Sequence, residues 1–355
     1  MESRLKMLLG GSIIGVIGAL MVYFGNPINM GLCVACFIRD TAGALGLHRA
    51  AVVQYIRPEL IGIVLGSTLF AVARKEFKPT GGSAPLTRFF LGFFIMIGCL
   101  VFLGCTFRMI LRIAGGDLNA LVGLLGFIVG IVVGVFFLKR GYSLKRSYPM
   151  SMSEGAIYPI FQVVLFILLV TAPAFIWYSQ KGPGATHAAV GVSLVAGLLV
   201  GAIAQRLRFC TVGGIRDFIL FREKTLLIGF IAITVAALVT NIILTQISGV
   251  VYFNPTFENP PIAHVDGVWN FLSMLLVGFA CTLIGGCPFR QLVLAGEGNT
   301  DSAITLLGVL VGGGFAHNFS LASSAAGPTM GGKVAVVIGL VVVTIIAVLN
   351  SRRRI

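Results

Sequence analysis

Long runs of apolar residues, separated by short polar connections, recur along the whole chain. Many runs reach about 20 residues, the length that an α-helix needs to cross a hydrocarbon core roughly 30 Å thick. The pattern predicts an all-α integral membrane protein with about 9–10 transmembrane helices. The approximate bounds of the predicted spans are 5–24, 58–74, 87–104, 119–138, 157–179, 187–205, 224–246, 268–286, 302–318 and 333–350.

Four further stretches are apolar but too short and too interrupted to cross a membrane. They cover residues 31–47, 105–116, 209–222 and 287–297, and each contains glycine and an arginine. Irregular backbone at membrane depth is tolerated only where protein covers it or where it lines a cavity. We therefore predict four re-entrant half-helices that meet at the midplane of the membrane, two entering from each side.

Composition supports a membrane protein and limits its partners. Hydrophobic residues make up 57% of the 355 residues and charged residues only 11%, far below the roughly 25% of a typical soluble domain. A net charge of +14 is of the kind found in nucleic-acid-binding proteins. In this chain, however, the basic residues lie in short connections between the apolar runs, such as Arg74–Lys75 and Lys139–Arg140. We therefore expect the lipid bilayer, and no nucleic acid, as a partner.

The distribution of basic residues also predicts the orientation. Most of the 26 lysines and arginines fall in the alternate connections that share a side with both chain ends, and residues 248–267 on the other side contain none. Connections rich in Lys and Arg stay on the cytoplasmic side. Both termini are therefore expected in the cytoplasm, with the chain in a bacterial-type inner membrane.

Two sequence motifs occur twice, about half a chain length apart. Cys-x5-Arg-Asp occurs at Cys33–Asp40 and at Cys210–Asp217, and Cys-x5-Cys-x-Phe-Arg occurs at Cys99–Arg108 and at Cys281–Arg290. Two independent motifs in the same order indicate an internal duplication. Because an odd number of helices separates the copies, the second is expected to be inverted relative to the first, as in many transporters.

The duplication divides the single membrane domain into three parts. We predict an N-terminal membrane repeat at 1–150, a connecting transmembrane helix at 151–185, and an inverted C-terminal repeat with an extra terminal helix at 186–355. In such arrangements the functional site lies near the midplane, where the two copies meet.

Cysteines begin the predicted half-helices. Pro288 favours the first position of a helix, which makes Cys287 its N-cap, and the repeat then makes Cys105 the N-cap of a half-helix from Thr106 to Gly115. A helix N-terminus attracts anions through free backbone N–H groups and the positive end of its dipole. Four cysteines at matched positions are the candidates for a substrate pathway, namely Cys33, Cys105, Cys210 and Cys287.

The remaining cysteines are expected to serve packing. Cys36 has no counterpart in the second copy of its motif, and Cys99 and Cys281 lie within ordinary span sequence. A total of seven cysteines, none in an obvious soluble loop, is not the pattern of a disulfide framework.

Several charged and polar side chains lie close to the cysteines in sequence. The arginines of the motifs either hold the half-helices in place or attract an anion, and both roles stay open for Arg39, Arg108, Arg216 and Arg290. Asp117 and Asp301, which precede two spans, are interpreted as helix N-caps. His317 ends the ninth span and is interpreted as a satisfied helix-end histidine, with a proton relay or a gate as the alternative.

These motifs resemble the YeeE/YedE family of sulphur-compound transporters, and most of all its YedE-type branch, which is associated with selenium. The resemblance covers nearly the whole chain and rests on the Gly-Cys-Thr-Phe-Arg and Gly-Gly-Cys-Pro-Phe-Arg corners and the Cys-x5-Arg-Asp motifs. It implies a permease that passes thiosulfate or a selenium compound along central cysteines, which by motif match are Cys33, Cys105 and Cys287. Cys210 departs from that pattern. By analogy, a small cytoplasmic sulphur-carrier protein is an expected partner.

Two other functions are compatible with the sequence. A membrane thiol-disulfide oxidoreductase would use Cys33 and Cys36 as a redox pair, although the second half has no matching Cys-x-x-Cys. A channel for another small solute is the third alternative. The sequence has no metal-ligand spacing, phosphate-binding loop or hydrolase motif. We therefore expect no enzyme activity, catalytic residue, metal or cofactor.

Overall fold

Helices form almost the whole of the computed structural model, which describes residues 2–351. A helix satisfies its own backbone hydrogen bonds, as lipid requires, and the apolar runs supply its side chains. The helices are α1 (Glu2–Tyr23), α2 (Val34–Ala44), α3 (Pro58–Ala73), α4 (Pro85–Phe102), α5 (Thr106–Ala114), α6 (Asn119–Lys139), α7 (Met152–Thr171), α8 (Val190–Leu207), α9 (Thr211–Phe221), α10 (Thr225–Ser248), α11 (Gly267–Ile284), α12 (Pro288–Gly296), α13 (Thr300–Asn318) and α14 (Met330–Leu349). Two short antiparallel strands pair with each other, β1 (Thr80–Gly81) and β2 (Tyr148–Pro149).

Eight helical segments within residues 2–351 are long and apolar enough to cross a membrane, which confirms a multi-pass helical membrane protein. Each of the ten predicted spans overlaps a helix, but α3 and α13 are not among the eight. α3 has 16 residues, which gives it a length of about 24 Å at 1.5 Å per residue, less than the hydrocarbon core. α13 begins with Thr-Asp-Ser and contains three consecutive glycines, so it is less apolar.

The long helices pack in pairs that join one half of the chain to the other. α1 packs on α10, α3 on α8, α4 on α13 and α6 on α11. By motif order, α1, α3, α4 and α6 correspond to α8, α10, α11 and α13. Exchanging every helix for its counterpart therefore leaves this set of pairs unchanged. A two-fold duplication would produce this pairing, whereas the repeat and its inversion in the membrane stay predictions.

Glycines bring the paired helices into backbone contact. A methyl group at Gly126 of α6 would overlap the carbonyl oxygen of Phe271 in α11, and one at Gly66 of α3 would overlap that of Leu198 in α8. The equivalent contacts in the other two pairs are Gly308 on Phe89 and Gly15 on Ile233. Close van der Waals packing at small residues is a main source of attraction between helices in lipid.

Four short helices, α2, α5, α9 and α12, occupy the positions of the predicted half-helices. The chain turns sharply before α5 and α12, because the cap residues that follow α4 and α11, Leu103 (φ 61°) and Gly285 (φ 93°), have left-handed backbone. The backbone N–H of the next residue donates to the carbonyl oxygen of Cys99 at the end of α4 and to that of Cys281 at the end of α11. Each bond closes a Schellman motif. The turn places a cysteine directly before the next helix.

Connections from the opposite half cover the ends of α5 and α12. Thr256, between α10 and α11, donates its N–H to the carbonyl oxygen of Gly116 at 3.0 Å. Thr80, between α3 and α4, donates to that of Gly298 at 3.4 Å. These bonds satisfy backbone carbonyl groups where the two short helices end.

Candidate functional site

Each predicted pathway cysteine is the N-cap of a short helix. Cys33 precedes α2, Cys105 precedes α5, Cys210 precedes α9 and Cys287 precedes α12. The predicted cap positions of Cys105 and Cys287 are confirmed. The Sγ atoms of Cys33 and Cys210 accept a backbone N–H bond from the first turn of their helices, at 3.4 and 3.3 Å. Those of Cys105 and Cys287 make no capping bond.

The short helices bring these thiols together in two pairs. Cys33 Sγ lies 3.7 Å from Cys105 Sγ, and Cys210 Sγ lies 3.9 Å from Cys287 Sγ. All four side chains are buried. Each pair joins two helices from the same half of the chain and is surrounded by helix N-termini, whose dipoles favour negative charge.

The two thiol pairs are connected through the first residues of α5 and α9. Thr106 and Thr211 follow N-cap cysteines, and their hydroxyl oxygens lie 2.9 Å apart. Phe107 and Phe289 stack with ring centroids 5.1 Å apart, and Phe209 meets Phe289 edge-on. All five side chains are buried. The site is therefore a continuous interior region of thiols, hydroxyls and aromatic rings.

Cys36, which the sequence assigns to packing, lies against the first thiol pair. Its Sγ atom is 2.7 Å from that of Cys33, so three thiols are in contact here. Cys99 and Cys281 are also buried, and all seven cysteines are free thiols. The spacing could have revealed Cys36, because residues three apart lie on one face at the start of a helix.

Three of the four motif arginines form ion pairs with carboxylates. The pairs are Arg39 with Asp40 at 2.6 Å, Arg216 with Asp217 at 2.8 Å and Arg290 with Glu297 at 3.1 Å. The first pair is buried, whereas Arg216 and Asp217 are 24% and 22% exposed. Contacts of this kind hold an arginine in place and neutralise its charge.

Arg108 differs from the other three. Its side chain is fully buried, and no carboxylate of residues 2–351 forms an ion pair with it. Nε donates to the carbonyl oxygen of Asn29 (3.2 Å) and Nη2 to that of Ile262 (3.0 Å). Nη1 faces Cys36 Sγ at 3.6 Å. The cluster of Cys33, Cys36 and Cys105 therefore adjoins an uncompensated positive charge.

Two buried arginines were not predicted from the sequence. Arg57 pairs with Asp40 at 2.8 Å, and Arg112 pairs with Asp117 at 2.7 Å. Arg57 lies in a connection between predicted spans, where basic residues are interpreted only as evidence for the orientation of the chain in the membrane. The spacing of Arg112, four residues after Arg108, could have placed both on one face of α5.

The prediction that Asp117 and Asp301 cap helices is wrong for Asp301, whereas the Asp117 side chain does accept the N–H of Asn119, the first residue of α6, at 3.0 Å. The caps of α6 and α13 are Leu118 and Asn299. Asp117 forms the ion pair just described, and such charge-assisted bonds are stronger than bonds between neutral groups. Asp301 lies inside α13 and accepts the backbone N–H of Ser83 at 3.0 Å, which fastens the connection before α4.

His317 lies at the end of α13, but it is not the satisfied histidine that the sequence predicts. Its Nε2 atom is buried without a hydrogen-bond partner in the described part of the chain. The ring packs instead against that of His48, with centroids 4.6 Å apart. Asn318 donates to the carbonyl oxygen of Leu47 at 2.9 Å, which joins the end of α13 to the end of α2.

The side chains at the site define what it can do chemically. Thiols and threonine hydroxyls are neutral donors, of which the thiols are weak, and Arg108 adds one positive charge. Among residues 2–351, no group of three or more His, Cys, Asp or Glu side chains, the three contacting thiols included, is arranged to hold a metal ion. The set is suited to brief contact with an anion.

One part of the chain matches a known family. Residues 206–354 match the model of the family described as sulphur transport, and this range includes α9, α12 and the Cys210–Cys287 pair. No curated protein matches the chain. The C-terminal part of this multi-pass helical membrane protein is therefore similar to the sulphur transport family.

Proposed function

We propose that the chain is a permease that carries a small sulphur- or selenium-containing anion, such as thiosulfate, along its thiol pairs. The observation that carries this proposal is the convergence of four N-cap cysteines into two pairs, at 3.7 and 3.9 Å. The similarity of residues 206–354 to the sulphur transport family supports the same class of substrate.

Thiols at helix N-termini suit such an anion for physical reasons. A neutral S–H group donates weakly, so each contact holds the ion without trapping it, and successive weak sites favour conduction. Helix N-termini supply a positive field. In this proposal the ion passes between the Cys33–Cys105 pair and the Cys210–Cys287 pair. The terminal sulphur of thiosulfate and the three-coordinate selenium of selenite are both large and polarisable, so the geometry favours neither element.

We place this pathway at the midplane between two inverted repeats, residues 1–150 and 186–355, which the helix in 151–185 connects. The four helix pairs support the repeat, because the set of pairs is unchanged when each helix is replaced by its counterpart in the other half. The N-caps gathered in the interior support re-entrant half-helices. The distribution of basic residues supports an inner-membrane location with both termini in the cytoplasm.

Capture of the ion inside the cell is the proposed end of transport. The sequence contains no ATP-binding motif, so the ion moves down its gradient, is coupled to another gradient, or is drawn in by capture. A small cytoplasmic sulphur-carrier protein is the proposed acceptor, by analogy with the family.

Cys105→Ala and Cys287→Ala are each expected to lower uptake about tenfold, because each removes a donor to a charged ligand, and a weak contact of about 1.4 kcal/mol corresponds to a factor of ten. Uptake of labelled thiosulfate and labelled selenite is measured side by side in cells that lack their own permeases for these ions. Neither thiol makes a capping bond, so the helix starts should persist.

Cys99→Ala and Cys281→Ala are matched controls, since both thiols are equally buried but lie inside long helices. All variants are compared at equal amounts in the membrane. Similar uptake by all four variants would contradict the thiol pathway. Well-inserted wild type that takes up neither ion would contradict the substrate assignment.

One observation favours a second function, a membrane thiol-disulfide oxidoreductase. The Sγ atoms of Cys33 and Cys36 are 2.7 Å apart, so a small movement would join them. The permease proposal expects both thiols to be free in native membranes, as counted by alkylation with a mass-shift reagent before and after reduction. A Cys33–Cys36 disulfide in most molecules, together with absent uptake, would favour the oxidoreductase.

A further inference from the structure

The two thiol pairs have similar geometry but unequal surroundings. Three residues after its N-cap cysteine, α2 has Cys36 where α9 has Gly213. The second difference lies ten residues after the N-cap cysteines of α5 and α12. At this position the chain has Gly115 beyond α5 and Glu297 beyond α12. Both differences change the environment of the arginine that belongs to the Cys105 half-helix, Arg108.

Because position 115 is a glycine and not a glutamate, Arg108 has no carboxylate partner within α5 and its end. Its counterpart Arg290 uses Nη1 to pair with Glu297 at 3.1 Å. The same Nη1 atom of Arg108 faces the Cys36 thiol at 3.6 Å. A thiol sulphur is a weak acceptor, whereas Nε and Nη2 of Arg108 both have carbonyl oxygens as partners. One side of a buried guanidinium is thus left for a better acceptor.

The position whose counterpart neutralises Arg290 is occupied by glycine in the first half, next to the side chain of Asn29. A methyl group at Gly115 would overlap Oδ1 of Asn29, and the carbonyl oxygen of Asn29 accepts from Arg108 Nε. An acid at position 115 would therefore have to displace the side chain of the residue that orients the guanidinium. A buried charge without a counter-ion is costly, and a transient anion offsets that cost.

We propose that Arg108, with Cys36, Cys33 and Cys105, binds a small anion that has oxygen atoms at one end and a polarisable sulphur or selenium atom at the other. This inference rests on the proposed transport function and names the place where the charge of the ion is met. The Cys36 side chain rotates away, and an anionic oxygen takes its place at Nη1 in a charge-assisted hydrogen bond. The sulphur or selenium end lies against the Cys33 and Cys105 thiols.

The second thiol pair has no such charge to offer. Glu297 neutralises Arg290 there, so Cys210 and Cys287 meet the ion with thiols and helix N-termini alone. The site is therefore asymmetric, with the stronger anion binding on the side of α2 and α5 and the weaker binding on the side of α9 and α12.

The test measures binding of two probes, thiosulfate and sulfate, to purified protein by isothermal titration calorimetry. Arg108→Gln is expected to weaken thiosulfate binding about tenfold or more, which corresponds to about 1.4 kcal/mol. The matched control removes both members of the counterpart pair, Arg290→Gln together with Glu297→Gln, and should leave binding nearly unchanged because the net charge there stays the same. Arg108→Lys keeps the charge and should retain part of the affinity. If Arg108 served only to join two carbonyl groups, the charge would not matter for anion binding.

Sulfate separates the two ends of the ligand, because it has the oxygens but lacks the terminal sulphur. Arg108→Gln should weaken the binding of both probes, and Cys105→Ala that of thiosulfate alone. Glu297→Gln tests the same idea without disturbing Arg108. It frees the charge of Arg290, which is 12% exposed, and should therefore strengthen sulfate binding.

Unchanged thiosulfate binding in folded Arg108→Gln protein would overturn the proposal, as would wild type that binds neither probe. If Arg108→Gln does not fold, Glu297→Gln decides, and unaltered sulfate binding there would overturn it. Uptake is measured separately. Binding that depends on Arg108 in a protein without uptake would support the site and reject the permease. Uptake that depends on Cys105, with binding independent of Arg108, would support the permease and reject the site.

Discussion

Asp40→Asn is expected to lower the free energy of unfolding by about 3–5 kcal/mol, the usual cost of removing one partner from a buried ion pair. The Asp40 carboxylate holds two arginines at once, Arg39 at 2.6 Å and Arg57 at 2.8 Å. None of the three side chains is more than 5% exposed, so water cannot replace the lost carboxylate. Two buried guanidinium groups would be left without a counter-charge.

The matched control is Asp217→Asn, at the same position in the second copy of the motif. Asp217 pairs with Arg216 alone and is 22% exposed, so its loss should cost about 0–1 kcal/mol. Thermal unfolding of the purified variants in detergent measures the difference. If Asp40→Asn and Asp217→Asn lost equal free energy of unfolding, burial would not be what determines how much the Asp40 cluster stabilises the protein.

Gly126→Ala is expected to destabilise the protein by about 3 kcal/mol, the upper part of the range for overpacking a dense interior. The added methyl group would overlap the carbonyl oxygen of Phe271, and a backbone atom cannot turn aside as a side chain can. The helices α6 and α11 would have to separate along their interface. The measurement is the fraction of monodisperse protein left after heating in detergent.

Gly191→Ala is the control for this substitution. Gly191 also lies in a long helix, α8, but a methyl group there would meet no atom within 4 Å. Because alanine is the better helix former, the variant should be as stable as wild type or slightly more so. Equal destabilisation of both variants would mean that close helix contact is not what Gly126 provides.

The helices and their caps could be predicted from local sequence. Apolar runs predict the long helices because lipid forces each segment to satisfy its own backbone. Pro288 marks the start of α12, since proline suits the first helical position. The duplication then carries that assignment to Cys105 and correctly predicts that α5 begins at Thr106.

The ion pairs and the third thiol could not be predicted, because they depend on how separate elements pack. Arg57 and Asp40 are 17 residues apart on different elements, and no periodicity relates them. The contact between Arg108 and Cys36 joins residues 72 apart, and it requires α2 to lie beside α5. By contrast, the predicted span 58–74 agrees with α3 to one residue.

Backbone contact between the paired long helices limits how the protein can move. In many transporters with inverted repeats, one repeat rocks against the other and opens the site to each side in turn. Here all four pairs join a helix of one half to a helix of the other, and glycines such as Gly126 and Gly66 hold them at backbone distance. A rigid-body swing would break four interfaces at once. For the proposed permease, access to the two sides in turn is therefore expected to arise from small shifts of the short helices and rotations of thiol side chains, within a fixed frame of long helices.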